Sequence, residues 1–235
     1  MNIKVLDKDQ IYSDIANRMI SLVNSKPNAI LGLATGSSPI GVYDLLVKGC
    51  LEHKVSFKQV KTFNLDEYYP ISDDNNQSYR YFMNSHLFNK IDIAKANTHF
   101  PSFTNYQQYD KLIADAGGID FQVLGIGSNG HIAFNEPGTS FDSLTHMVKL
   151  APSTIKDNAR FFNDIKDVPT QAISMGLHSI MQAKEIVLIA TGKNKAQAIK
   201  QLVEQEANIN LPASILKTHN NVTIYLDKEA ASLLC

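Results

Sequence analysis

Charge of one sign, cysteine and long apolar runs are what this chain is short of. Its 22 basic and 23 acidic side chains leave a formal charge of −1 at pH 7. No basic stripe interleaved with aromatic residues occurs, which argues against nucleic acid as a partner. The apolar runs are of strand length and the opening residues MNIKVLDKDQ lack the apolar segment of a signal peptide, so neither a membrane span nor export is expected. The two cysteines, Cys50 and Cys235, lie far apart. They are too few for a disulfide framework or a zinc site and fit a reducing cytoplasm. No internal repeat, low-complexity tract or linker interrupts the 235 residues, a length that one large domain with a sizeable core accounts for.

What the chain does have is alternation. Apolar runs at Ile3 to Leu6, Ala29 to Ala34, Lys61 to Leu65, Phe121 to Ile126, Thr145 to Leu150, Ile186 to Ala190 and Val222 to Leu226 read as strands. Between them, Lys8 to Val23 carries Ile11, Ile15, Met19 and Val23 on one helical face. Ile40 to Leu46 reads as a helix with Pro39 near its start, and Tyr106 to Ala116 as one that ends at Gly117 and Gly118. Further helical segments are expected at Tyr79 to Phe88, Pro152 to Phe162, Thr191 to Val203, Pro212 to Leu216 and Lys228 to Leu234, with YYPISDDNNQS as a loop after Asp66 and Glu67. Strands separated by helices predict an α/β domain with a mostly parallel sheet covered on both faces.

Polar residues gather where strands end. The most concentrated stretch is FQVLGIGSNGHIAFNEPGTS, residues 121–140, where Gly125, Gly127 and Gly130 follow a buried strand and His131 and Glu136 follow the glycines. The glycines satisfy G-x-G-x-x-G, yet Pro137 comes too soon for the long helix that a dinucleotide fingerprint needs. A lone histidine here would more often bond the backbone than do chemistry, but this one has a carboxylate five positions on and sits at a strand's C-terminal edge, where open α/β sheets collect ligands. A second strand end, ILGLATGSSP, offers Thr35, Gly36 and Ser37 before a helix, which is either an ordinary cap or an anion cradle. Arg160 and Lys195 are cations that could serve the same anion or simply lie on the surface. At a third strand end, Asp66 and Glu67 fall on opposite sides of an extended backbone, so only one of them can face a pocket. Either could instead cap a loop or helix.

FNLDEY, GIGSNGHIAFNEPG, LGLATGSSP, NARFF and TGKNKAQAI together closely resemble the glucosamine-6-phosphate deaminase (isomerase) family, in order along nearly the whole chain. The resemblance implies a Rossmann-like three-layer sandwich, a single domain over residues 1–235, and conversion of D-glucosamine 6-phosphate and water to D-fructose 6-phosphate and ammonia without cofactor or metal. It makes Asp66 the acid/base that moves a proton between C2 and C1. His131 becomes the ring-opening group, completed by Asn129 and Glu136. Thr35, Gly36, Ser37, Arg160 and Lys195 become the phosphate-binding positions. Asn129 stands where some members carry aspartate. The chain is short after its last strand, where the family's long allosteric hexameric forms continue, so a monomer or small homo-oligomer is expected. A 6-phosphogluconolactonase would share fold and phosphate turn but typically has Asp-Glu-Arg in place of Asp66, Glu67 and Tyr68 and lacks the run Phe134 to Pro137. A non-catalytic sugar-phosphate sensor would have no need of Asp66, His131 and Glu136 together. The polar loop GTSFDSLTH, residues 138–146, is expected to move on binding.

Overall fold

The computed structural model describes residues 1–159, 162 and 164–234, apart from the side chains of residues 153 and 157. In chain order the strands are β1 (Asn2–Val5), β2 (Ile30–Leu33), β3 (Lys61–Asn64), β4 (Asp66–Tyr69), β5 (Thr98–His99), β6 (Phe121–Gly125), β7 (His146–Lys149), β8 (Gln171–Ser174), β9 (Ile186–Ala190) and β10 (Val222–Leu226). The helices are α1 (Lys8–Ser25), α2 (Ile40–Leu51), α3 (Tyr79–His86), α4 (Tyr106–Ala116), α5 (Pro152–Asn158), α6 (Leu177–Met181) and α7 (Ala196–Glu204).

Seven strands form one sheet in the order β1-β10-β9-β6-β2-β3-β5, and every pairing in it is parallel. Alternate residues of its central strands feed opposite faces. Val187 and Ile189 of β9 pack in one core with Ile11, Ile15, Met19 and Val23 of α1 and Val42 and Leu46 of α2. Leu188 of β9 and Leu124 of β6 pack in the other with Tyr109 and Ile113 of α4, Ile180 of α6 and Ile199 and Leu202 of α7. The four-residue spacing in α1 therefore does what it predicts, each side chain contributing about 2 kcal/mol by burial. The result is a three-layer sandwich. Among the described residues, no helix is long and apolar enough to cross a membrane.

Two corrections concern the periphery. Tyr68 and Tyr69 do not open a loop: with Asp66 and Glu67 they form a strand, β4, in a second sheet of order β4-β8-β7, antiparallel in both pairings. Its partner β8 lies about a hundred residues downstream, a pairing that no local pattern announces. Lys228 to Leu234 forms turns rather than a helix. Asp227 accepts from the amide of Ala230 through its side chain and from Ala231 through its carbonyl, closing the segment locally. The loop 138–146, expected to move on binding, is bonded to three neighbouring segments. Asp110 accepts from the amide and hydroxyl of Thr145, Ser143 Oγ accepts from the Leu177 amide, and the Gly138 amide donates to Ile209.

The strand order also explains where a site can form. From β2 the sheet grows outward through β3 and β5, and from β6 it grows the opposite way through β9 and β10. The loops leaving β2 and β6 must therefore part company, opening a crevice at their C-terminal ends.

Candidate active site

That crevice holds a cavity of about 520 Å³, bordered by Thr35, Gly36, Ser37 and Ser38 after β2, by Asp66 and Tyr68 of β4, by Gly125, Gly127 and His131 after β6, and by Thr191, Asn194 and Lys195 after β9. Residues separated by more than a hundred positions thus meet because parallel strands deliver their C-terminal ends to one edge. None of the residues 138–146 borders the cavity. Arg160 lies outside the described residues, as does Cys235. Cys50 is half-buried beside Asp92, remote from this site. No group of three or more His, Cys, Asp or Glu among the described residues is placed to hold a metal ion.

Two glycines here serve opposite purposes. Gly36 has φ +85° with nothing near the position a Cβ would take, so it is required by its left-handed backbone. Gly127 is required for room: a Cβ there would lie 2.2 Å from Cε1 of His131. The turn carrying Gly36 is held from behind by Tyr43 of α2, whose buried hydroxyl donates to the carbonyl of Ala34.

Asp66 and Glu67 divide as an extended backbone requires. Glu67 turns away and accepts from the amides of Tyr68 (2.9 Å), Tyr79 (2.8 Å) and Arg80 (2.9 Å), capping α3. The cap reading thus applies to Glu67 and the pocket reading to Asp66. Asp66 borders the cavity while only 6% exposed. Burial, helped by the negative charge of Glu67, pushes its carboxyl up to about 8. A carboxylate held so far from its ordinary range is a strong proton acceptor whenever it is ionised.

His131 is set by a chain of hydrogen bonds. Its Nδ1 lies 2.7 Å from Oδ1 of Asn129, while Nδ2 of Asn129 donates to Oε2 of Glu136 at 2.9 Å. The Glu136 carboxylate, 3.7 Å from the imidazole nitrogen, can only accept, so Asn129 must turn its NH2 toward Glu136 and its oxygen toward the ring. Nδ1 of His131 must then donate, which makes Nε2 the basic nitrogen of the neutral ring. Asn129 and Glu136 do not border the cavity. They stand behind the imidazole and orient it.

The expected residues miss part of the wall. Tyr68 and Tyr79 border the cavity, pack against Phe134, and Tyr68 accepts from Nδ2 of Asn158 at 2.8 Å. Tyr68 is two residues from Asp66 on β4 and so shares its face, which reading Tyr68 as the first residue of a loop concealed. Asn158 lies in the NARFF run, where the cation at 160 draws attention away from it.

A family model described as glucosamine-6-phosphate isomerases/6-phosphogluconolactonase matches residues 7–225. The chain belongs to this family. A Mycoplasma mycoides subsp. mycoides protein named glucosamine-6-phosphate deaminase is 53% identical, over 100% of this chain and 98% of that one. A Clostridium novyi protein of the same name is 48% identical, over 97% of each. A solved structure described as a monomeric glucosamine-6-phosphate deaminase matches with a TM-score of 0.97 at 39% identity, over 99% of this chain and 100% of that one. A 6-phosphogluconolactonase from Thermotoga maritima, at 22% identity and a TM-score of 0.76 over 96% of this chain and 98% of that one, shares the fold.

Proposed function

We propose that this chain is an enzyme that converts D-glucosamine 6-phosphate and water into D-fructose 6-phosphate and ammonia. The observation that carries the reading is the convergence of Asp66, His131 and the turn Thr35 to Ser38 on one cavity from different strands, in a chain whose full-length relatives at about half identity bear the deaminase name. In this reading the phosphate sits on the amides and hydroxyls of Thr35, Gly36 and Ser37, at the start of α2, with Lys195 and Arg160 supplying cations. His131 takes the proton of the C1 hydroxyl through Nε2 and passes it to the ring oxygen, opening the sugar. Asp66 then removes the C2 proton, which the C1 carbonyl makes acidic, and returns it to C1. The enediol-like intermediate becomes a C2 imine, and water adds to that carbon to expel ammonia.

Ammonia release from glucosamine 6-phosphate tests this directly, against hydrolysis of 6-phosphogluconolactone by the same preparation. Deaminase activity without lactonase activity is expected. Lactone hydrolysis alone would overturn the proposal, and binding of sugar phosphate without turnover would make the chain a sensor. Lys195→Ala should raise KM at least ~10-fold while lowering kcat less, because it holds a group that does not react. Glucosamine lacking the phosphate should be a very poor substrate.

We also propose a monomer, on the likeness over the full chain to a structure described as monomeric. Sedimentation at micromolar concentration checks it, and a dimer mass would exclude it.

A further inference from the structure

The hydrogen-bond chain that sets His131 does not stop at Glu136. Oε1 of Glu136, the oxygen facing away from Asn129, accepts a short hydrogen bond from the hydroxyl of Thr154, and the amide of Ala151 approaches the same oxygen at 3.4 Å. Thr154 is on α5 and only 3% exposed, and it does not border the cavity. We propose that Thr154 is a positioning residue for the ring-opening histidine, acting through Glu136 and Asn129. This rests on the proposed deaminase reading for its link to catalysis, while the orientation of the imidazole can be tested without it.

The argument is one of hydrogen-bond polarity. A carboxylate offers two oxygens and has no donor. With Oε1 occupied by the Thr154 hydroxyl, Oε2 is the oxygen presented to Nδ2 of Asn129. That contact fixes which end of the Asn129 amide meets the imidazole, and Oδ1 is the end found at 2.7 Å from Nδ1. Removing the hydroxyl leaves Oε1 of Glu136 with the Ala151 amide alone and loosens Asn129, whose Oδ1 is then kept toward the ring chiefly by the His131 amide at 3.2 Å. A flipped Asn129 would aim its NH2 at Nδ1, reversing the tautomer and placing the proton on the nitrogen that must act as base.

The helix that carries Thr154 has a second side chain on the same face. Asn158, four residues on, donates to the hydroxyl of Tyr68 at 2.8 Å, and Tyr68 lies two residues from Asp66 on β4. One short helix is therefore bonded both to the group behind His131 and to the strand that carries Asp66. This explains why a threonine is placed there: its methyl packs like any buried side chain, and its hydroxyl supplies the donor.

The test is Thr154→Val, which keeps the volume and removes the hydroxyl, with Thr154→Ser as the restoring change. The imidazole of His131 is followed by 15N NMR, and steady-state kinetics are run on glucosamine 6-phosphate. The Val variant should show 15N shifts moving from a pure Nδ1–H pattern toward tautomer averaging. Its kcat should fall about tenfold with KM within about twofold, as expected when an orienting group is lost and substrate contacts are kept. The Ser variant should recover both. Wild-type 15N shifts and kcat in the Val variant would overturn the proposal. So would a loss in Val that Ser fails to restore at equal thermal stability, since that would make Thr154 a packing residue. Should Val not fold, Thr154→Ala carries the same expectations and the same refutation. If the wild-type protein releases no ammonia, the deaminase reading falls, and the NMR comparison still decides whether Thr154 governs the tautomer.

Discussion

In the proposed mechanism, Asp66 is where chemistry and stability pull against each other. A carboxyl lifted from 3.8 to about 8 by burial keeps its proton in the folded chain at a pH where the unfolded chain has lost it. Between those two values the native state binds more protons than the unfolded state, so Asp66 makes stability fall as pH rises from about 4 to about 8. Asp66→Asn cannot ionise and should escape this. Its melting temperature should exceed that of wild type by a margin that widens across that window, while turnover drops by at least ~10²-fold. Equal melting temperatures at pH 5 and pH 8.5 would contradict the buried-acid account, and near-normal turnover would remove Asp66 from the mechanism. Asn129 is the other informative residue. Its Nδ2 lies 2.9 Å from a Glu136 oxygen, so Asn129→Asp would set two carboxylate oxygens against each other beside the imidazole. One proton must be taken up and shared, raising the titration midpoint of the coupled group by about a unit or more. We expect this in a 15N titration of His131 rather than in the acid limb of kcat/KM, because Asp66 titrating near 8 would hide it there.

At the scale of elements, the proposed phosphate cradle depends on a helix that also belongs to the core. α2 buries Val42 and Leu46 against the sheet and uses Tyr43 to hold the carbonyl of Ala34, the residue before the turn. Tyr43→Phe keeps the ring and removes the donor, leaving a buried carbonyl without that bond. A cost of about 1–3 kcal/mol is expected in denaturant unfolding, together with a severalfold rise in KM and little change in kcat. A raised kcat effect with unchanged KM would show that the turn is positioned by something else. The helices of the sandwich were the most legible elements, because α1 and α4 each present an apolar stripe with clear limits. α4 even ends at Gly117 with φ +113°, the C-cap the glycine pair predicts. β4 was illegible for the opposite reason: its four residues carry two acids, and its partner is remote in sequence.

At the scale of the whole molecule, two cores share the seven-stranded sheet. Leu188 and Leu124 serve one face while Val187 and Val123 serve the other, so the central strands cannot shift register without exposing both. Leu188→Ala, at a fully buried position, should cost about 2–5 kcal/mol in equilibrium unfolding. KM for the sugar phosphate should stay near the wild-type value, because the strand ends that form the site keep their places. A large KM change at unchanged stability would mean that the core and the site are coupled in a way the layered architecture does not contain.

The sequence by itself determined the α/β class, the two-sided sheet, the helical stripes and the family, because each depends on patterns that repeat locally or on motifs held within a few residues. It also drew Asp66, His131 and Glu136 together as polar residues at strand ends, while their roles and that of Asn129 came from the family resemblance. Tertiary structure alone decided which of Asp66 and Glu67 faces the cavity, how Asn129 is turned, and that Thr154 stands behind Glu136. Those choices depend on contacts between segments far apart in the chain: β4 against β8, and α5 against the loop after β6. Local sequence carries the inventory of donors and acceptors, and folding decides which of them meet.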